Sequence, residues 1–536
     1  MTATTTPDAR GVPAEEGSKR STASTLIFWL FALGITAYVA LCTGNRDAIP
    51  EADAWEHHRV LLALTENAWN PGNPTFALDT PSIRYSPYFL VQALLCRTFG
   101  VDPYAMLSGA AVVNTALLFV GLWSLLGAWG EKRAAPLAAL TVVGLWGVAP
   151  GYAGTTALSD LPWHQVNPSA FSLATFFVAL ASLKRFIERG GAWRWIGITL
   201  VCAVAMLDHA MTGAFMLMAL FIMSAMHRQR RPTSLGGMFA CSAIALGVCL
   251  AWPWYPFRDA LLSRQDVDYW FNGAISTMML TQWCAPAIVL ALAALLKFDR
   301  PLVRLCLVIG AAGLLLSAVS IPLRSPTFAR FAMPASVMLQ IAIAVWAVRS
   351  GAMCVRRWRD GATRLIRLPA SAENAPFVLL LFFIIALLYG LIPQAADVLK
   401  KPHLARPLVA KFAKIRTLEP RLKPIYDELL RGIGSRDVVL ATPLTSWPVP
   451  SSRGRIVAAL HYERFVDDQP TRMADAEAFF DETATEQMRS DILSRYDVRW
   501  IVLDTNRESR AIQQSLLGRY PEAKRVENFI LLRVRD

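Results

Sequence analysis

The sequence predicts an α-helical polytopic membrane protein of about eleven spans, with interfacial helices in the first outer loop and a C-terminal extracytoplasmic α/β domain. Three observations predict it. Hydrophobic residues make up 54% of the 536 residues and charged ones only 17%, too little charge for a soluble chain of this size. Apolar runs of about 20 residues, the length that crosses a bilayer core, recur along the chain. From residue 394 onward charges become dense, and short apolar strands alternate with amphipathic helical stretches.

The chain divides accordingly into a tail at 1–23, a transmembrane region at 24–393 and an extracytoplasmic domain at 394–536. The tail is polar and carries Thr, Pro and Gly, the composition of a disordered cytoplasmic segment. Lys19 and Arg20 precede the first span, and no small-residue cleavage site follows a short apolar core, so the span reads as a retained anchor. Spans are expected at 24–42, 104–129, 134–150, 168–187, 193–208, 209–227, 235–252, 276–296, 302–320, 331–348 and 376–393. The basic connections at 131–133, 184–194, 228–231, 297–304 and 349–367 then all fall on one side, which the positive-inside rule makes cytoplasmic. That rule also accounts for the net charge of +13 without nucleic acid. The 193–208 and 209–227 pair reads as a hairpin with Asp208 and His209 at its outer turn, because one continuous helix would place basic flanks on opposite sides. The eight cysteines show no CxxC or metal-like spacing and read as small core residues.

On this topology the outer side holds the chemistry. Six of the seven histidines map there, together with the acids Glu51, Asp53, Glu56, Asp160 and Asp208. Ionisable groups near a membrane are costly and default to functional candidates, although at an interface the cost shrinks and a solvated loop charge competes with that reading. Residues 52–69 place Trp55, Val60, Leu61, Leu64 and Trp69 at helical intervals, and 80–100 is a short apolar stretch bounded by Pro87 and Gly100. Both read as helices in the outer interface. His57 lies one turn beyond Asp53, while His58 points about 100° away and is expected to be solvated. Arg324 and Arg330 stand at the outer mouth of an apolar helix, where a guanidinium can snorkel to headgroups or grip a phosphate in bidentate fashion. Trp163, Trp252, Trp254 and Trp270 suit an aromatic belt or sugar stacking.

In the C-terminal domain, strands are expected at 437–441, 455–459, 498–504 and 528–534, with helices at 473–495 and 507–519. The Pro/Ser-rich stretch 442–455 reads as a surface loop that could also reach over the outer cavity. No GxGxxG or Walker-type loop is present, which argues against a nucleotide-driven motor.

The order of these stretches resembles the GT-C superfamily of membrane glycosyltransferases, which use polyprenyl-phosphate-linked sugars. The resemblance rests on "EADAWEHH" after the first span, "RYSPYFLVQALL", "ALSDLPWHQVNPSAF", "LDHAMTGAF", "ARFAMPASVMLQIAIA" and the tail "RIVAALHYERFVDDQPTRMADAEAFF". It covers most of 24–505 and rests on order and topology, since each motif alone is degenerate. It implies a bacterial inner-membrane enzyme with a catalytic Asp in the first outer loop, here Asp53, with Glu51 as part of an ExD motif and Asp160 as second acid. The tryptophan-rich WWD signature of oligosaccharyltransferases is absent, which speaks against en bloc transfer to Asn.

The implied reaction displaces a polyprenyl phosphate from an anomeric carbon. Phosphate leaves readily once its charge is neutralised, so a single carboxylate base suffices where glycosidases need two. Asp53 is the expected base. Arg330, with Arg324 or His209, is expected at the phosphate, and Arg84 beside Tyr85 is another candidate. His57, Asp160, His164 and Asp208 complete the expected substrate-binding set. No cofactor is required; a divalent cation would have Glu51, Asp53, Asp160 and His164 to choose from. Expected partners are the lipid-linked sugar, a glycan, lipid or protein acceptor, and membrane lipids, without nucleic acid. A transporter or flippase of a lipid-linked glycan is the alternative, disfavoured by scarce mid-span charge and no inverted repeat. A non-catalytic assembly protein is a third reading, and it leaves the Asp53 cluster without purpose.

Overall fold

The computed structural model describes residues 14–43, 53–147, 154–227, 231–262, 273–359, 375–400 and 422–535. Glu51, Trp270 and His403 lie outside them. The first helix, α1 (Ala14–Thr43), begins inside the stretch expected to be disordered. Two helices then precede the next span: α2 (Asp53–Glu66) and α3 (Pro87–Phe99). α3 exposes Val91, Leu94, Leu95 and Phe99, the apolar face an interfacial helix needs. α4 (Pro103–Ala128), α5 (Ala135–Gly144), α6 (Leu161–His164), α7 (Pro168–Arg189), α8 (Ala192–Asp208), α9 (Ala210–Met226) and α10 (Arg231–Leu250) follow. A pair bent by 52°, Ser276–Trp283 and Ala285–Lys297, then leads to helices Pro301–Leu323, Ala332–Arg359 and Ala375–Lys400.

Among the described residues seven helices are long and apolar enough to cross a membrane, or eight with the bent pair counted as one. The chain is a multi-pass membrane protein, and the expected count of about eleven is reached by adding α5, α8 and α9. α5 departs most from its expected span, 134–150, since its helix stops at Gly144. The backbone beyond it is unwound within the apolar core, and each polar group there needs a protein partner. Gln340 donates to the Leu145 carbonyl (2.8 Å), and the Gly147 N–H donates to the Trp283 carbonyl (3.2 Å). Gln394 accepts from the Leu158 N–H (2.7 Å). Gly390 faces this same break; a Cβ there would lie 2.2 Å from the Gly144 carbonyl oxygen, so only glycine lets the two backbones pass.

The two ends of the bundle separate by charge. Arg349 bonds Glu131, Lys132 lies over Trp123 and Lys184 over Trp129, so the basic connections share one end. At the other end the Tyr88 N–H bonds Asp208, and the Tyr255 hydroxyl bonds the Leu207 carbonyl.

The C-terminal domain sits on that second end. Its sheet has the order β2-β1-β3-β5-β4, with β1 (Val438–Leu440), β2 (Arg455–Ile456), β3 (Val498–Asp504), β4 (Glu522–Val526) and β5 (Phe529–Arg533). β1 pairs in parallel with β2 and β3; β5 is antiparallel to β3 and β4. The four expected strands are present, β3 over its full expected length and the other three shortened. β4 is additional: its "EAKRV" is a polar edge strand, invisible to an apolar pattern, turned back through Glu527 at φ 53°. The domain does not stand alone. Phe76, from the connection between α2 and α3, is fully buried among Ile425, Tyr426, Val439 and Ile456, and the Ile456 N–H bonds the Thr75 carbonyl (3.0 Å).

Candidate active site

α2 is the floor of the site. Its face is set by Val60, Leu61 and Leu64, all buried as their spacing predicts, whereas Trp69, expected on the same face, is 82% exposed and stacks on Trp254. α2 also packs on α3 through His57 and Phe89 and on α4 through His58 and Tyr104, and the C-terminal domain covers a further face. The short turns Pro443–Ser446 and Val449–Ser452 fill the Pro/Ser-rich stretch, and the Ser451 hydroxyl donates to the Trp55 carbonyl (2.6 Å). Pro448 to Ser451 are buried, so this stretch is a docking element and not a plain surface loop. The same cover corrects the expectation for His58, which is buried and not solvated.

Under this cover lies a compact set of charges. Glu463, buried, accepts from Arg59 (2.9 Å), Arg84 (3.0 Å), Thr75 (3.2 Å) and Ser82 (3.2 Å). Glu56, also buried, contacts Arg84 through Oε2 and Arg59 through Oε1 (3.3 Å). Two guanidiniums therefore answer two carboxylates, which is the condition for burying four charges. His461 approaches from the C-terminal domain, its Nδ1 2.7 Å from Glu56 Oε1 and 3.8 Å from Asp53 Oδ1. The imidazole is turned off the straightest hydrogen-bond line to Glu56, so the contact is chiefly electrostatic. Burial alone would raise the Glu56 carboxyl, but Arg84, Arg59 and His461 outweigh it and hold it well below the usual carboxylate range. Burial pulls His57 down to about 4, with Asp53 opposing and Arg84 reinforcing.

Asp53 is the open member of this group, with a side chain 42% exposed beside the buried Glu56. His209 ends α8 and caps α9: its Nδ1 accepts from the Thr212 N–H (3.2 Å), which leaves the proton of the neutral ring on Nε2. His209 lies within electrostatic reach of Arg330, Asp53 and His57 together. Arg330 follows the turn Pro326–Ala329, and Arg324 is the exposed, left-handed residue (φ 48°) that ends Pro301–Leu323. Asp53, His57 and Arg330 thus all act electrostatically on His209.

Other expected site residues stand elsewhere or are engaged. Arg84 spends both ends of its guanidinium on Glu56 and Glu463. The Tyr85 hydroxyl donates to the Gly72 carbonyl (2.6 Å) from a buried ring. Asp208 accepts from the Tyr88 N–H (3.0 Å) at the first turn of α3. Asp160, buried, accepts from Thr155 (3.1 Å) and Ser159 (3.0 Å), and His164 ends the short α6 that it begins. Glu51 lies outside the described residues. Arg59, Glu463 and His461 were not among the expected site residues. "HYERF" lies in the tail on which the resemblance rests, but nothing in its spacing announces contact with α2.

Among the described residues the one group of three or more potential metal ligands is Asp53, Glu56 and His461, whose ligand atoms lie within 4.8 Å of one another. Of the expected ligand set Asp53 recurs, Asp160 and His164 do not join it, and Glu51 lies outside the described residues. Two carboxylates and an imidazole suit a divalent cation chemically. The guanidiniums of Arg84 and Arg59 on the same Glu56 oppose one electrostatically, so the fit is poor and no step below uses a metal.

No protein-family model matches the chain, and no curated protein matches it by sequence. Solved structures do. ArnT from Cupriavidus metallidurans, solved bound to undecaprenyl phosphate, matches with a TM-score of 0.51 at 12% identity, over 95% of this chain and 98% of that one. The arabinofuranosyltransferase AftD from Mycobacteria matches with a TM-score of 0.54 at 15% identity, over 94% of this chain and 40% of that one. Identities this low show the fold, and the fold is GT-C.

Proposed function

We propose that this GT-C-fold chain is a membrane glycosyltransferase that moves a sugar from a polyprenyl-phosphate donor to an acceptor hydroxyl on the extracytoplasmic side of the membrane. The reading is carried by one observation: an open carboxylate, Asp53, and a cation, Arg330, both lie within electrostatic reach of His209. The reaction requires a base on one side of the anomeric carbon and positive charge where phosphate departs, and these two residues are the groups that would supply them. Asp53 removes the acceptor proton as the new glycosidic bond forms and the bond from the anomeric carbon to the phosphate oxygen breaks. Arg330, helped by the Nε2–H of His209 and by Arg324, receives the leaving phosphate. Arg84 drops out as a phosphate ligand, because binding one would strip Glu56 and Glu463 of a buried partner. Asp208 acts on the frame, fixing the start of α3 beside the site. Two proteins of similar fold support the reading: ArnT was solved bound to undecaprenyl phosphate, a lipid phosphate, and AftD is named as a sugar transferase.

The test is transfer by purified protein in proteoliposomes, with a panel of undecaprenyl-phosphate-linked pentoses and hexoses as donors. Asp53→Asn is expected to lower turnover at least about 10²-fold while the protein remains folded and inserted. Full activity in that variant rejects the base assignment. Passage of intact lipid between leaflets without any transfer rejects the enzyme.

A further inference from the structure

The C-terminal domain brings an imidazole to the acids of α2 from 408 residues downstream, counting from Asp53 to His461. We propose that His461 is a positioning residue for Asp53, so that the C-terminal domain completes the catalytic machinery as well as covering it. The proposal rests on the reading of Asp53 as the base.

An imidazole nitrogen 2.7 Å from a carboxylate oxygen repels it unless that nitrogen carries a proton, so His461 Nδ1 is protonated, with its N–H turned off the direct line to Glu56 Oε1. Glu56 stays anionic because two guanidiniums hold it, which fixes that tautomer. The same N–H edge stands 3.8 Å from Asp53 Oδ1. A free carboxylate at the mouth of α2 would rotate about its side-chain bonds; a donor edge held beside it selects the rotamers that face His461. His461 can do this only if it is itself fixed, and three features fix it. The Trp447 ring packs edge-on against the imidazole, with centroids 5.0 Å apart at 69°. Gln469 donates to the His461 carbonyl (2.7 Å) and accepts from the Glu463 N–H (2.7 Å), pinning the backbone on both sides of Tyr462. Glu463, two residues on, is anchored by Arg59, Arg84, Thr75 and Ser82. A first contact supported by locked neighbours is what holds a reacting group within a fraction of an ångström, and a misplacement of about 1 Å costs about 10²-fold in rate.

Full-length protein in proteoliposomes tests this through transfer kinetics and through binding of undecaprenyl phosphate. His461→Ala is expected to lower kcat about 10²-fold, leaving the Kd for undecaprenyl phosphate within about twofold and Tm within about 2 °C. His461→Asn, whose amide N–H occupies the place of Nδ1, should recover much of the loss; His461→Gln, which reaches to the place of Nε2, should not. The double variant Asp53→Asn/His461→Ala should be no slower than Asp53→Asn. Wild-type kcat in His461→Ala, with Asp53→Asn inactive, overturns the proposal and leaves the base assignment standing. An active Asp53→Asn, or a wild type that transfers none of the sugars, overturns both. Loss of wild-type turnover on chelation by EDTA, with His461→Asn as impaired as His461→Ala, overturns it in favour of a metal ligand.

Discussion

His57 and His58 are adjacent, both buried and both held neutral, and they carry an acid liability. Burial lowers His58 from 6.5 to about 3, with Lys423 reinforcing, and His57 to about 4. The sign follows from linkage: between pH 6.5 and 4 the unfolded chain takes up protons that the folded one refuses, so stability falls as pH falls through that window. The ceiling for His57 is about 3–4 kcal/mol, at about 1.4 kcal/mol for each pKa unit. Glu56 acts oppositely: its depressed carboxyl adds stability above 4.5 that is lost only as pH falls far below that value. Acid sensitivity between pH 6.5 and 4 therefore belongs to the imidazoles. His58→Gln, outside the proposed machinery, should flatten the decline of Tm between pH 7 and pH 4.5; equal slopes in variant and wild type would assign that sensitivity elsewhere. Asp53 was legible in the sequence because it follows an apolar span and stands one turn from a histidine. The burial of His58 was not, because its cover comes from 449–452, and helical phase says nothing of a remote segment.

At the scale of elements, the contact between α2 and the C-terminal domain is built from charges that neither side could bury alone. Arg59 meets Glu463 across 404 residues, and Arg84 meets it across 379. No local spacing encodes such pairs; the sequence shows only two arginines in an outer loop and a glutamate in a tail. The helices themselves were readable from apolar runs, while the early end of α5 was not, because a break satisfied by Gln340 and Gln394 looks apolar in one dimension. Glu463→Gln leaves two buried guanidiniums facing Glu56 alone. It should cost roughly 3–5 kcal/mol, the range for breaking a buried pair from one side. Adding Arg59→Met restores charge balance and should recover part of that loss, since the two sites touch. Thermal unfolding in detergent of both single variants and the double variant gives the coupling; strict additivity would show that the network contributes nothing as a unit.

At the scale of the whole molecule, the site exists because one end of the bundle is both cationic at its turns and capped by a folded domain. The proposed reaction needs that end to be extracytoplasmic, and the charge distribution supplies the reason. Lys132, Lys184 and Arg349 gather at the opposite end, the end that the positive-inside rule expects in the cytoplasm. Single cysteines report this directly, because seven of the eight native cysteines are buried and Cys354 is half-buried. In a Cys354→Ala background, Glu486→Cys places a thiol on the C-terminal domain at a side chain 81% exposed. Asp299→Cys places one just before the helix Pro301–Leu323, at a side chain 74% exposed and at the end of that helix remote from Arg324. A membrane-impermeant maleimide added to intact cells should label the first and spare the second, with both labelled after permeabilisation. The reverse pattern would put Asp53, Arg330 and His461 in the cytoplasm together. The fold and the geometry of the cluster would stand, but the donor would have to present its sugar on the other leaflet, and the proposed side of reaction would be wrong.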